Sequence, residues 1–130
     1  MESLKEIFRI GKGPSSSHTM GPQRAATIFA ERHPETARFE VTLYGSLAAT
    51  GKGHMTDKAI IDVLKQVSPV EIIWEPDILL PYHPNGMLFR ACNYSQYLLD
   101  EWTVYSVGGG ALSEGKATGD FYQKESVYDL

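Results

Sequence analysis

The chain has 130 residues, enough to close one hydrophobic core, and reads as one domain. Its 42% hydrophobic and 22% charged residues are ordinary for a globular chain, and a net charge of −4 with no Lys/Arg cluster argues against nucleic acid as the main partner. The one cysteine, Cys92, can make no internal disulfide, which fits a reducing, cytoplasmic setting, and by itself it can hold neither an iron–sulfur cluster nor a structural zinc.

No apolar run approaches the roughly 18 residues needed to span a bilayer, so no membrane partner is expected. The acidic start, Met1 to Glu6, lacks the apolar region of a signal peptide. Leu4, Ile7 and Phe8 fall at helical spacing and predict a short helix over residues 3–10. The stretch Gly11 to Pro22 then gathers three glycines, two prolines, four hydroxyl side chains and His18. Glycine and proline fix unusual turns there, and hydroxyls ahead of a helix cap its free amides. The stretch predicts a rigid loop of donors at a helix start, where a carboxylate or phosphate could sit. That helix is expected over about 21–33, with Pro22 near its first position and Pro34 ending it. His33, at its end, is expected on the surface.

Phe39, Val41 and Leu43 alternate with polar neighbours and predict a strand. A glycine-rich connection, Gly45 to Asp57, leads to a helix running from an N-cap at Thr56 to about Gln66, with Ile60, Val63, Leu64 and Val67 on its core face. Val70, Ile72 and Trp74 predict a second strand. The segment Pro76 to Gly86 is irregular, and strands at about 87–92 and 98–107 form a hairpin that Gly108-Gly109-Gly110 terminates. Strands cluster late in this order, which predicts an α+β fold: about four strands in a mostly antiparallel sheet, with helices on one face. Residues 1–112 are expected to form the core, and 113–130 an edge element or the start of a linker.

Gly45 to Gly53 lies where a phosphate-binding P-loop would lie. Five residues separate Gly45 from Gly51-Lys52, and Gly53 stands where the hydroxyl residue belongs, which excludes nucleotide hydrolysis. An anion-binding loop with Lys52 stays open against a plain connection. His18, His54 and His83 occupy Gly/Pro-rich loops without metal-ligand spacing, so they suit proton transfer near neutrality better than zinc. Read singly, each is more often a structural hydrogen-bonder than a catalyst, and Asp57 also reads as a first-turn acid favouring the helix N-terminus.

Taken in order, Gly13-Pro14-Ser15-Ser16-Ser17-His18-Thr19-Met20-Gly21-Pro22, Gly45 through Asp57, His83-Pro84-Asn85 and Tyr105-Ser106-Val107-Gly108-Gly109-Gly110 resemble the β domain of the iron–sulfur L-serine dehydratases over about residues 5–112. The resemblance implies deamination of L-serine to pyruvate and ammonia without pyridoxal phosphate. It implies a [4Fe–4S] cluster held by cysteines of a separate α domain or subunit, one iron acting as Lewis acid on the substrate hydroxyl, and no metal held by this chain, which alone would be inactive. It assigns His18 and His83 to proton transfer or substrate orientation. Ser15, Ser16, Ser17, Thr19 and Asn85 would bind the carboxylate or brace neighbouring loops, with Lys52, His54 and Asp57 as a second tier shaping the domain contact. The β domain also resembles the allosteric substrate-binding domain of some phosphoglycerate dehydrogenases. The alternative is therefore a regulatory L-serine-binding module without catalytic duty; a dimerisation module is a third reading.

Overall fold

Alternation of apolar and polar residues builds a mixed sheet of six strands: β1 (Arg38–Tyr44), β2 (Val70–Glu75), β3 (Gly86–Cys92), β4 (Leu98–Gly108), β5 (Ala111–Ser113) and β6 (Val127–Tyr128), in the order β2-β1-β3-β4-β5-β6. The computed structural model describes residues 16–51, 55–115 and 127–128. Among the described residues three helices precede or interrupt the strands: α1 (Ser16–Arg32), α2 (Gly45–Gly51) and α3 (Thr56–Leu64). The short helix expected over 3–10 lies outside the described residues.

In β1, Phe39, Val41 and Leu43 face one way; they pair with Val70, Ile72 and Trp74 of β2 and with Ala91, Phe89 and Met87 of β3. Phe89 and Met87 in turn stand opposite Trp102 and Val104 of β4. Ala25, Ala26 and Phe29 of α1, Leu47 and Ala48 of α2, and Ile60 and Leu64 of α3 pack on this face. The opposite face carries the polar half of the alternation. There Arg90 of β3 bonds Glu101 of β4 at 3.0 Å and lies 3.5 Å from Glu40 of β1. One face is apolar and covered, the other polar, as an α+β sheet with helices on one side requires.

The fold class is as the sequence predicts, and the structure adds particulars. The sheet has six strands where about four were expected, because β5 and β6 extend it beyond β4. β1 and β2 run parallel, so residues 38–75 form a crossover unit with α2 and α3 between the strands. β5 carries the sheet past residue 112, and Leu112 is fully buried. Gly109 and Gly110 make the β4–β5 turn with positive φ of 62° and 86°, which glycine adopts without steric cost.

Three helix starts differ from expectation. The serine-rich stretch is not a loop up to Gly21: from Ser16 it is the first turns of α1, and Pro22 sits inside the helix. Gly45 to Gly51 is α2 where a glycine-rich loop was expected. Gly45 turns the chain out of β1 at φ +51°, and Leu47, Ala48 and Ala49, good helix formers, carry it on. Thr56 does not cap α3; Met55 holds that position at φ 60°, with no side-chain cap bond. His33 is half-buried, tilted against Phe29 and 2.8 Å from the Asp100 carboxylate, so it is not a plain surface residue.

Candidate functional site

Separate segments converge at the end of the sheet where β1 and β2 finish and β3 begins. Leaving β1 through Gly45, the Ser46 amide donates to the Pro84 carbonyl at 3.0 Å. An added Cβ on Gly45 would stand 2.8 Å from that carbonyl oxygen and 2.6 Å from Leu79 Cδ2, so only glycine allows this approach. Asn85 is buried and joined to β4 twice: its Nδ2 donates to the Ser106 carbonyl at 3.1 Å, and its own carbonyl accepts from the Ser106 amide at 3.0 Å. Ser106 in turn abuts α1, where a Cβ on Gly21 would fall 2.0 Å from Ser106 Oγ.

His18, in the first turns of α1, lies with Nε2 3.3 Å from Ser46 Oγ. His83 lies in the loop that Ser46 grips, and its Nδ1 accepts from the Asn85 amide at 3.1 Å. Both imidazoles are half-buried and border the same end of the sheet, His18 through Ser46 and His83 through Pro84 and Asn85. An Nδ1 that accepts places the proton of the neutral ring on Nε2, so His83 presents an N–H donor there. Burial also lowers the His83 pKa from its ordinary 6.5, favouring that neutral form. Below pH 6.5 the unfolded chain therefore binds more protons at this ring than the folded one. Stability at this group is complete above that pH and is lost on acidification. Urea midpoints should fall between about pH 7.5 and pH 5.5, and His83→Gln should flatten that fall.

A surface hollow of about 270 Å³ runs along the same loop, lined by Leu79 to Pro84. Tyr82 stacks obliquely on Tyr105, 5.0 Å between ring centres, and accepts from Ser113 Oγ at 3.2 Å. Burial, with Tyr82 and Tyr44 nearby, raises the Tyr105 pKa and keeps its phenol protonated. Ile78, Leu79 and Tyr82 leave a largely apolar rim exposed around the hollow.

The other residues singled out in the sequence fall differently. Ser16 and Ser17 form the first turn of α1. Thr19 lines a groove of about 220 Å³ with Gln23 of α1 and Met55, Lys58, Ala59 and Asp62 at α3. Asp57 is half-buried in the first turn of α3. Ser15, Lys52 and His54 lie outside the described residues, so the Lys52 anion loop does too, beyond the helix that Gly45 to Gly51 forms. Three residues that join the segments, Gly21, Ser46 and Ser106, were not singled out. Their signal is faint, since small residues reveal a close approach only once the partner segment is known.

Among the described residues no group of three or more His, Cys, Asp or Glu is placed to hold a metal. Cys92 is buried at the far end of β3, with Arg38 Nη2 3.8 Å from its sulfur, so a cluster ligated at Cys92 would stand apart from the histidines. The donor set of this chain does not fit a [4Fe–4S] cluster. No helix among the described residues is long and apolar enough to cross a membrane.

The serine dehydratase beta chain family matches residues 3–75 and 64–117. The chain belongs to that family. Among the beta chain's relatives, an L-serine dehydratase of Mycobacterium bovis is 35% identical over 157 residues, covering 91% of this chain and 34% of that protein. The L-serine dehydratase TdcG of Escherichia coli is 37% identical, covering 88% of this chain and 34% of the relative. One from Streptomyces coelicolor is 37% identical, with 90% and 34% covered. The beta chain spans about a third of the length of these relatives.

Proposed function

We propose that this beta chain supplies proton-transfer and substrate-orienting groups to an L-serine dehydratase whose [4Fe–4S] cluster is carried by an α domain or subunit. The observation that carries the reading is the convergence of His18 and His83 on one end of the sheet, in a chain of the serine dehydratase beta chain family. Relatives bearing the name L-serine dehydratase support the substrate, and the two-thirds of their length beyond this match leaves room for a cluster-bearing half.

Dehydration of L-serine breaks the Cα–H and Cβ–O bonds and forms Cα=Cβ; the resulting enamine tautomerises and hydrolyses to pyruvate and ammonia. The proton removed from Cα needs a base, and the departing hydroxyl needs a proton to leave as water. His18 suits proton transfer because its ring is half-buried with a hydroxyl 3.3 Å from Nε2. His83 suits orientation, with Nε2–H directed at a carboxylate or hydroxyl oxygen. Ser15, Ser16, Ser17, Thr19 and Asn85 would bind or brace, and Lys52, His54 and Asp57 would shape the contact with the α half.

The second reading is a regulatory L-serine-binding module. It is favoured by His83, whose Nδ1 is already engaged, leaving a donor instead of a base. Calorimetry of the isolated chain with L-serine separates the readings. A catalytic site completed at the interface gives no saturable heat alone and yields pyruvate when the α half is joined; a sensor binds serine alone. A chain that dimerises and responds to serine in neither setting defeats both.

A further inference from the structure

We propose that Thr56 is a positioning residue that holds His18 in place by standing in for the helix hydrogen bond that Pro22 cannot make. In a regular helix the amide of residue 22 would donate to the carbonyl of residue 18. Proline has no amide hydrogen, so inside α1 the His18 carbonyl receives nothing from that position. Thr56, fully buried at the start of α3, points its Oγ1 at that carbonyl and donates at 2.5 Å. The bond crosses 38 positions of sequence and ties the turn bearing His18 to the helix after it.

Threonine is suited to the task, since its hydroxyl can donate across to the His18 carbonyl. The helix it opens, α3, begins with Met55 in the left-handed region and has no side-chain cap bond. Because the His18 peptide is fixed, its imidazole projects from a defined place toward Ser46, 3.3 Å away. The catalytic consequence rests on the proposed dehydratase reading; the positioning itself does not.

The test is a double-mutant cycle in this chain, with Thr56→Val, Thr56→Ser and Pro22→Ala, read by urea unfolding and by NMR of the His18 ring. Losing the hydroxyl removes the bond that ties the His18 carbonyl to α3, so Thr56→Val should lower the folding equilibrium about tenfold and shift the His18 ring signals, while Thr56→Ser stays within about threefold. Pro22→Ala restores an amide donor at position 22, so in that background Thr56→Val should cost no more than about threefold. Equal losses in both backgrounds, unmoved His18 signals, or failure of Thr56→Val to fold even with Ala at 22 would overturn the assignment. With the α half joined, Thr56→Val should lower kcat about tenfold with KM little changed, and Thr56→Ser should restore it. If no variant or parent turns over serine, the dehydratase reading fails, and the folding cycle and ring signals still decide the role of Thr56.

Discussion

Gly21→Ala should cost about 3 kcal/mol of stability, although alanine normally favours a helix interior over glycine by roughly 0.5–1 kcal/mol. The reason is local to the crossing of α1 and β4. The new methyl would stand 2.0 Å from Ser106 Oγ and 2.8 Å from Ser106 Cβ, and Ser106 is fully buried with its backbone bonded to Asn85. Neither partner can step aside without lifting α1 from the sheet. Removing the obstructing side chain makes the argument specific: Ser106→Gly added to Gly21→Ala should recover at least about half of the loss in urea unfolding. A Gly21→Ala chain as stable as the parent would show that α1 does not approach β4 this closely.

The second large effect belongs to the core beneath the helices. Phe29→Ala should destabilise by about 3–5 kcal/mol. Phe29 is fully buried, its ring 5.5 Å from Phe89, 6.0 Å from Phe39 and 6.2 Å from Trp102, the last nearly parallel. Its ring meets aromatic residues of β1, β3 and β4 at once. Truncation loses both the transfer energy of the ring and its contacts around the cavity, which backbone-fixed strands cannot close. A loss under about 1 kcal/mol by urea titration would contradict this placement of the core.

Much of the sheet was legible because strand periodicity is set locally. Phe39-Val41-Leu43 and Val70-Ile72-Trp74 show their inward faces in sequence alone. What periodicity cannot carry is direction and partner: nothing in either run says that β1 and β2 lie parallel, or that Val127 and Tyr128 return to pair with β5. The helix starts were misread for a different reason. Pro22 and Gly45 read as breaks because their local preferences oppose helix or demand a turn. Tertiary contacts override both: the Thr56 hydroxyl donates to the His18 carbonyl, to which Pro22 cannot donate, and Gly45 supplies the positive φ that opens α2. In the site, the histidines and Asn85 stood out by chemistry and loop context. Ser46 and Ser106 did not, since their role is to join segments 38 and 21 positions away, or further.

The proposed function gives two imidazoles of this chain a part in chemistry whose metal centre would lie elsewhere. It is tested most directly by pyruvate formation from L-serine once the chain is joined to the proposed cluster-bearing half, comparing the parent with His18→Ala and His83→Ala. The expected result is a fall of about 10²–10⁴-fold for His18→Ala, the range for a lost acid–base group, and at least about tenfold for His83→Ala. Near-parental turnover in both variants would contradict it.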